Sequence, residues 1–115
     1  RDTVKLCPRR SKKRVVDPDY LNAVAKLGCC LCQQPATIHH VHAGEGMGLR
    51  AADYRSIPLC PRHHQHGGYG IAIEMGRKAW EKANRTEEYW LEWTWDQLEI
   101  PEDTRAKWRK REYDI

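Results

Sequence analysis

Two short-spaced pairs, Cys29-x2-Cys32 and Cys60-x2-His63, form a zinc-type quartet. One tetrahedral zinc takes four sulfur and nitrogen donors, and pairs with two-residue gaps let short loops present them. That assignment uses Cys29, Cys32, Cys60 and His63 as ligands of a structural Zn2+. It leaves His39, His40 and His64 over. Imidazole can ligate a divalent cation, and its ordinary pKa of about 6.5 also suits it to take a proton near neutrality. Surplus histidines against a zinc-pinned scaffold therefore predict a second, chemically active site.

The scaffold must be small. A chain of 115 residues has room for one domain with a modest core, which a structural metal would supplement. Five cysteines are an odd number, and two of the spacings suit metal rather than disulfides, so a reducing, cytoplasmic setting is expected. No run of about 18 apolar residues and no signal segment is visible, so neither a membrane partner nor secretion is indicated. Charge is uneven. Residues 1–14 carry seven basic side chains against Asp2, whereas residues 74–103 carry nine acids against four bases. A basic arm with Arg9, Arg10, Lys12, Lys13 and Arg14 on a near-neutral body suits a polyanion, with DNA as the expected partner. The alternative is a solvated tail.

Punctuation divides the chain into an arm (1–18), a zinc-containing domain (19–85) and a C-terminal helical extension (86–115). Asp17 or Asp19 caps a helix over 20–27, which Gly28 ends. The first zinc knuckle follows, then an extended segment over 33–41. Residues 42–50 contain Gly44, Gly46 and Gly48 and must loop. A short strand over 56–59 runs into Cys60, and Pro61 suits the first turn of a helix. Helices are predicted over 74–83, 86–99 and 103–113, the second stopped by Pro101. Trp80 and Trp95 are expected in the core, Trp90 and Trp93 on a surface suited to a protein partner, and Trp108 is the one tryptophan placed to meet nucleic acid.

This layout resembles the HNH endonucleases, the ββα-metal group, through Cys29-x2-Cys32, Ile38-His39-His40-Val41 and Ile57-Pro58-Leu59-Cys60-Pro61-Arg62-His63-His64. With Gly44-Glu45-Gly46-Met47-Gly48 and Ala52-Asp53-Tyr54, it looks closest to phage and prophage recombination nucleases of the RecA-dependent type. The resemblance implies an α+β fold: a small zinc-stabilised ββα-metal core with flanking helices. It also implies a metal-dependent DNA endonuclease acting in recombination, repair or defence, with a recombinase or other protein as a further partner. No base-reading pattern is present, so low sequence specificity is expected.

Phosphodiester hydrolysis needs a base to deprotonate water and a cation to offset charge on the phosphoryl and leaving oxygens. By resemblance, His39 ligates the cation, His40 is the general base and His64 is a second ligand. Both members of the pair can serve one site only if the strand ends there, because adjacent strand residues face opposite ways. Similar proteins place a histidine where this chain has Glu74. A carboxylate favours a hard cation such as Mg2+, so this departure shifts metal preference or marks an inactive site. By resemblance Asp53 ties down the glycine loop or orients His40, against the reading of an ordinary helix cap or loop acid; His42 is read as exposed rather than a more distant support of the site, and His66 as a solvated loop residue, with backup ligand as its alternative. Cys30 is read as a free thiol. The competing function is a catalytically silent, zinc-stabilised nucleic-acid-binding module.

Overall fold

The computed structural model describes residues 15–42 and 51–113. The arm residues 1–14, including the basic cluster Arg9 to Arg14, and most of the glycine loop lie outside the described residues. Within them the fold is a small mixed α+β arrangement of one two-stranded sheet and four α-helices. No described helix is long and apolar enough to cross a membrane.

Helix α1 (Pro18–Lys26) begins where the sequence provides a cap and a helix-compatible proline. Asp17 Oδ1 accepts from Tyr20 N–H at 3.1 Å, and Pro18 needs no donor in the first turn. Gly28 then adopts φ +80°, and a Cβ there would stand 3.0 Å from the Gln33 carbonyl oxygen. That close approach lets the knuckle fold back, closed by Cys29 N–H to Gln34 O and Gln33 N–H to Cys29 O, both 2.8 Å.

Strands β1 (Thr37–His40) and β2 (Ser56–Leu59) pair antiparallel, with His39 opposite Ile57 and His40 opposite Ser56. β2 is buried along its length, and Ile57 and Leu59 join Val41, Trp80, Leu91, Trp95 and Trp108 in the core. The chain leaves β2 at Cys60 and enters a wide helical turn (Arg62–His66), closed by Gly67 N–H to Arg62 O at 2.8 Å.

The helix expected over 74–83 is broken. A tight turn (Ile73–Met75) is followed by α2 (Arg77–Asn84), and Gly76 between them has φ +157°. A Cβ on Gly76 would lie 2.7 Å from the Tyr69 ring, so glycine is required and Glu74 is held outside the helix. Helix α3 (Glu87–Gln97) starts at Thr86, whose Oγ1 accepts from Tyr89 N–H. Helix α4 (Glu102–Arg109) is shorter than the expected 103–113 segment and is tied to α3 by Arg109 to Glu92 at 2.6 Å and by the Arg105–Asp96 ion pair.

Trp80 and Trp95 are fully buried. Trp108 is also a core residue rather than a nucleic-acid contact: it is 9% exposed and stacks on Tyr54 at 4.4 Å with 2° between ring planes. The tyrosine hydroxyl beneath that stack donates to Asp17 Oδ2 at 2.7 Å, which pushes its pKa up to about 12.

Candidate metal centre

The four predicted zinc ligands meet. Cys32 Sγ lies 3.7 Å from Cys60 Sγ, and His63 Nδ1 lies 3.6 Å from both Cys29 Sγ and Cys32 Sγ and 3.2 Å from Cys60 Sγ. Tetrahedral zinc with bonds of roughly 2.0–2.3 Å separates its ligand atoms by about 3.3–3.8 Å, so the spacing fits the ion. The Leu31 N–H also points to Cys29 Sγ, at 3.5 Å. Cys29, Cys32, Cys60 and His63 can therefore hold a metal such as zinc. Burial pushes the Cys60 thiol up, but hydrogen bonds to it, from His63 N–H first, leave the net shift downward toward the thiolate that a metal needs. Cys30 is buried beside this group, and burial raises its thiol well above the ordinary range.

A second cluster is built from the end of β1, the wide turn and the segment ahead of α2. Its centre is one carboxylate oxygen. Glu74 Oε2 stands 3.2 Å from His39 Nδ1, 3.4 Å from His64 Nε2 and 3.6 Å from His42 Nε2. Two of these imidazole rings are held from behind. His39 Nε2 is 2.7 Å from Glu87 Oε2, a carboxylate that only accepts, so Nε2 carries a hydrogen and Nδ1 is the nitrogen turned to Glu74. Thr37 Oγ1 spends its one hydrogen on Leu59 O at 2.8 Å and so accepts from His64 Nδ1 at 2.9 Å, leaving His64 Nε2 bare.

Two imidazole nitrogens and a carboxylate oxygen thus converge, an arrangement that could hold a cation. His39 Nδ1 is buried, makes no hydrogen bond and meets Glu74 at ion-pair distance, so it is placed to act as a donor to a metal. Burial, and then the nearby His39, push the His64 pKa down, which keeps its ring neutral and available as a donor. His64, Glu74 and His39 were each predicted as cation ligands, and the fold brings all three together.

His40 follows His39 at the last position of β1 and faces a different partner. Its Nε2 lies 2.9 Å from Asp53 Oδ1. Asp53 is fully buried, and its other oxygen accepts from Asp17 N–H at 2.8 Å. Asp53 therefore orients His40, one of the roles that the sequence left open, and also ties the start of α1 to the hairpin.

Sequence reasoning missed Glu87 and misplaced His42. Glu87 is fully buried in the first turn of α3, where the helix N-terminus favours its negative charge. It holds the His39 ring and also accepts from His42 N–H at 3.1 Å, so one carboxylate fixes two histidine positions. A charged residue in step with Leu91 and Trp95 on the buried face of a helix was the available signal. His42 is exposed, as expected, yet it joins the cluster, grouped with His39 and Glu74 as potential metal donors. His66 is exposed and contributes nothing here.

The chain matches the family described as Protein of unknown function (DUF968) over residues 5–97, a span containing both clusters, Asp53 and Glu87 and ending before α4. No curated protein and no solved structure matches it.

Proposed function

We propose that this chain, which belongs to the DUF968 family, is a metal-dependent DNA endonuclease of the HNH type that hydrolyses phosphodiester bonds with low sequence specificity. One observation carries the reading: a group that could hold a cation and an oriented histidine base share adjacent positions, 39 and 40, at the end of one strand. The hairpin β1–β2 running directly into the Arg62–His66 turn supports a ββα-metal core, with the Cys3His zinc group pinning both ends.

The residues divide the work as follows. His39, His64 and Glu74 would hold a divalent cation such as Mg2+ or a softer ion. When bound, it would offset charge on the phosphate and leaving oxygen. His40 is placed to take the proton of an attacking water. Its Nε2–H is held by Asp53, which fixes the tautomer that leaves Nδ1 able to accept. Asp53 carries negative charge beside the ring and stabilises the imidazolium formed after that transfer. Glu87 keeps the His39 ring turned so that Nδ1 faces the cation. The basic segment 1–14 supplies sequence-independent attraction to the phosphate backbone.

Plasmid nicking with Mg2+ or Mn2+, comparing the wild type with His40→Ala, tests this directly. Nicking by the wild type that collapses in His40→Ala is expected, leaving 5′-phosphate and 3′-hydroxyl ends. Equal nicking by both proteins, or none by either across a panel of metals, removes the catalytic reading. The second outcome leaves a zinc-stabilised nucleic-acid-binding module.

A further inference from the structure

We infer that His42 is a fourth ligand of the Glu74-centred site, and that the resulting donor set selects a transition-metal ion over Mg2+. The inference rests on the cation-site reading above and extends it to a residue and a metal class.

Three observations carry it. His42 Nε2 lies 3.6 Å from the same Glu74 oxygen that His39 and His64 approach, and it falls with His39 and Glu74 in one group of mutually close donor atoms. The His39 ring is tilted by 63° to His42 and by 78° to His64, at centroid distances of 5.1 and 5.2 Å, so the rings present edges rather than stacked faces. The position of His42 is also fixed: its N–H donates to both oxygens of Glu87, the carboxylate that orients His39.

The donor count then decides the metal. Three imidazole nitrogens and one carboxylate oxygen suit zinc, cobalt, manganese or iron, whereas Mg2+ prefers oxygen ligands and retains water. Spacing agrees. The distances of 3.2, 3.4 and 3.6 Å from Glu74 Oε2 lie near the edge of about 3.3–3.4 Å in a tetrahedron with bonds of roughly 2.0–2.1 Å; His39, His42 and Glu74 form the compact donor group, and His64 approaches it at Glu74. An octahedral magnesium with similar bonds would bring neighbouring ligands to about 2.9 Å. Glu74, which by sequence suggests a hard cation, is outvoted by the nitrogens around it.

The test is a Co2+ titration of the zinc-loaded full chain, followed by visible absorption, in the wild type and in His42→Ala. Thiolate-to-cobalt bands report any exchange at the Cys3His group, so the second site is read separately. The wild type should give the intense bands of four-coordinate cobalt, resistant to an excess of Mg2+ on the order of 100-fold. His42→Ala, which keeps the backbone N–H, should bind Co2+ at least roughly tenfold more weakly and show the faint bands of six-coordination. His42→Gln should behave like His42→Ala. Unchanged cobalt affinity and spectrum in either variant overturn the role of His42, and displacement by equimolar Mg2+ overturns the selectivity. Cobalt bound as expected without any DNA cleavage sinks only the endonuclease reading. Mg2+-driven cleavage untouched by His42→Ala sinks only this inference.

Discussion

The two clusters use neighbouring residues, His63 and His64, for opposite purposes. His63 turns to three thiols and closes a complete ligand shell, whereas His64 turns to a carboxylate and two other imidazoles. The Cys3His group is assembled from two local pairs, supported by backbone N–H groups of the same short segments, such as that of Leu31. The Glu74 group draws on the end of β1, the wide turn, the break before α2 and, through Glu87, the first turn of α3. A structural site can thus be local and saturated. The Glu74 group instead has rings held from behind and a partly open front: His39 is 1% exposed, while Glu74 remains 37% exposed.

The largest test of this contrast is metal removal. Ligation energy at a structural zinc is folding energy, on the order of 10–16 kcal/mol in small zinc-binding peptides. Strong chelation, or Cys60→Ser, should abolish cooperative thermal unfolding, whereas emptying the Glu74 site should leave most of the melting temperature intact. A metal-free chain that melts like the loaded one ends the structural assignment. Next in size, His40→Ala should retain cation and DNA binding but cut nicking by roughly 10²–10⁴-fold. Calorimetry that instead finds the cation lost in His40→Ala and kept in His39→Ala would reverse the roles of the pair. Glu87→Gln, which replaces an acceptor that fixes the His39 tautomer, should weaken cation binding about 10–100-fold without releasing zinc. Equal loss at both sites would mean that Glu87 supports the fold rather than one site. Smallest, Tyr54→Phe removes the hydroxyl donated to Asp17 and should cost about 1 kcal/mol in denaturant unfolding, with neither metal affinity changed.

The elements that were legible share one property: their causes are close in sequence. Asp17, one of two candidate caps, and the Gly28 stop framed α1, although the helix begins at Pro18, which the sequence placed in the arm, rather than at 20; Thr86 and Pro101 framed α3. Strand β2 appeared where expected because Ser56 to Leu59 lies between turn signals and runs into a ligand. The helix over 74–83 failed at Gly76, whose φ of +157° is not helical and which ends one turn and starts the next, with the exposed Tyr69 ring lying against it. Trp108 misled because its basic neighbours were visible, while the Tyr54 ring that stacks on it comes from 54 positions earlier.

By itself, the sequence determined the Cys3His quartet, the surplus of histidines and the elements on which they sit, because two-residue ligand spacings, caps and alternating burial are short-range properties of a chain. Only the tertiary structure decided that Glu74 stands among His39, His42 and His64, and that Glu87 holds the ring of the first and the backbone of the second. A hydrogen bond fixes a tautomer only when its partner is in place. For His39 that partner arrives from 48 residues away, carried on a helix whose three other acids, Glu88, Glu92 and Asp96, look no different from it in the sequence.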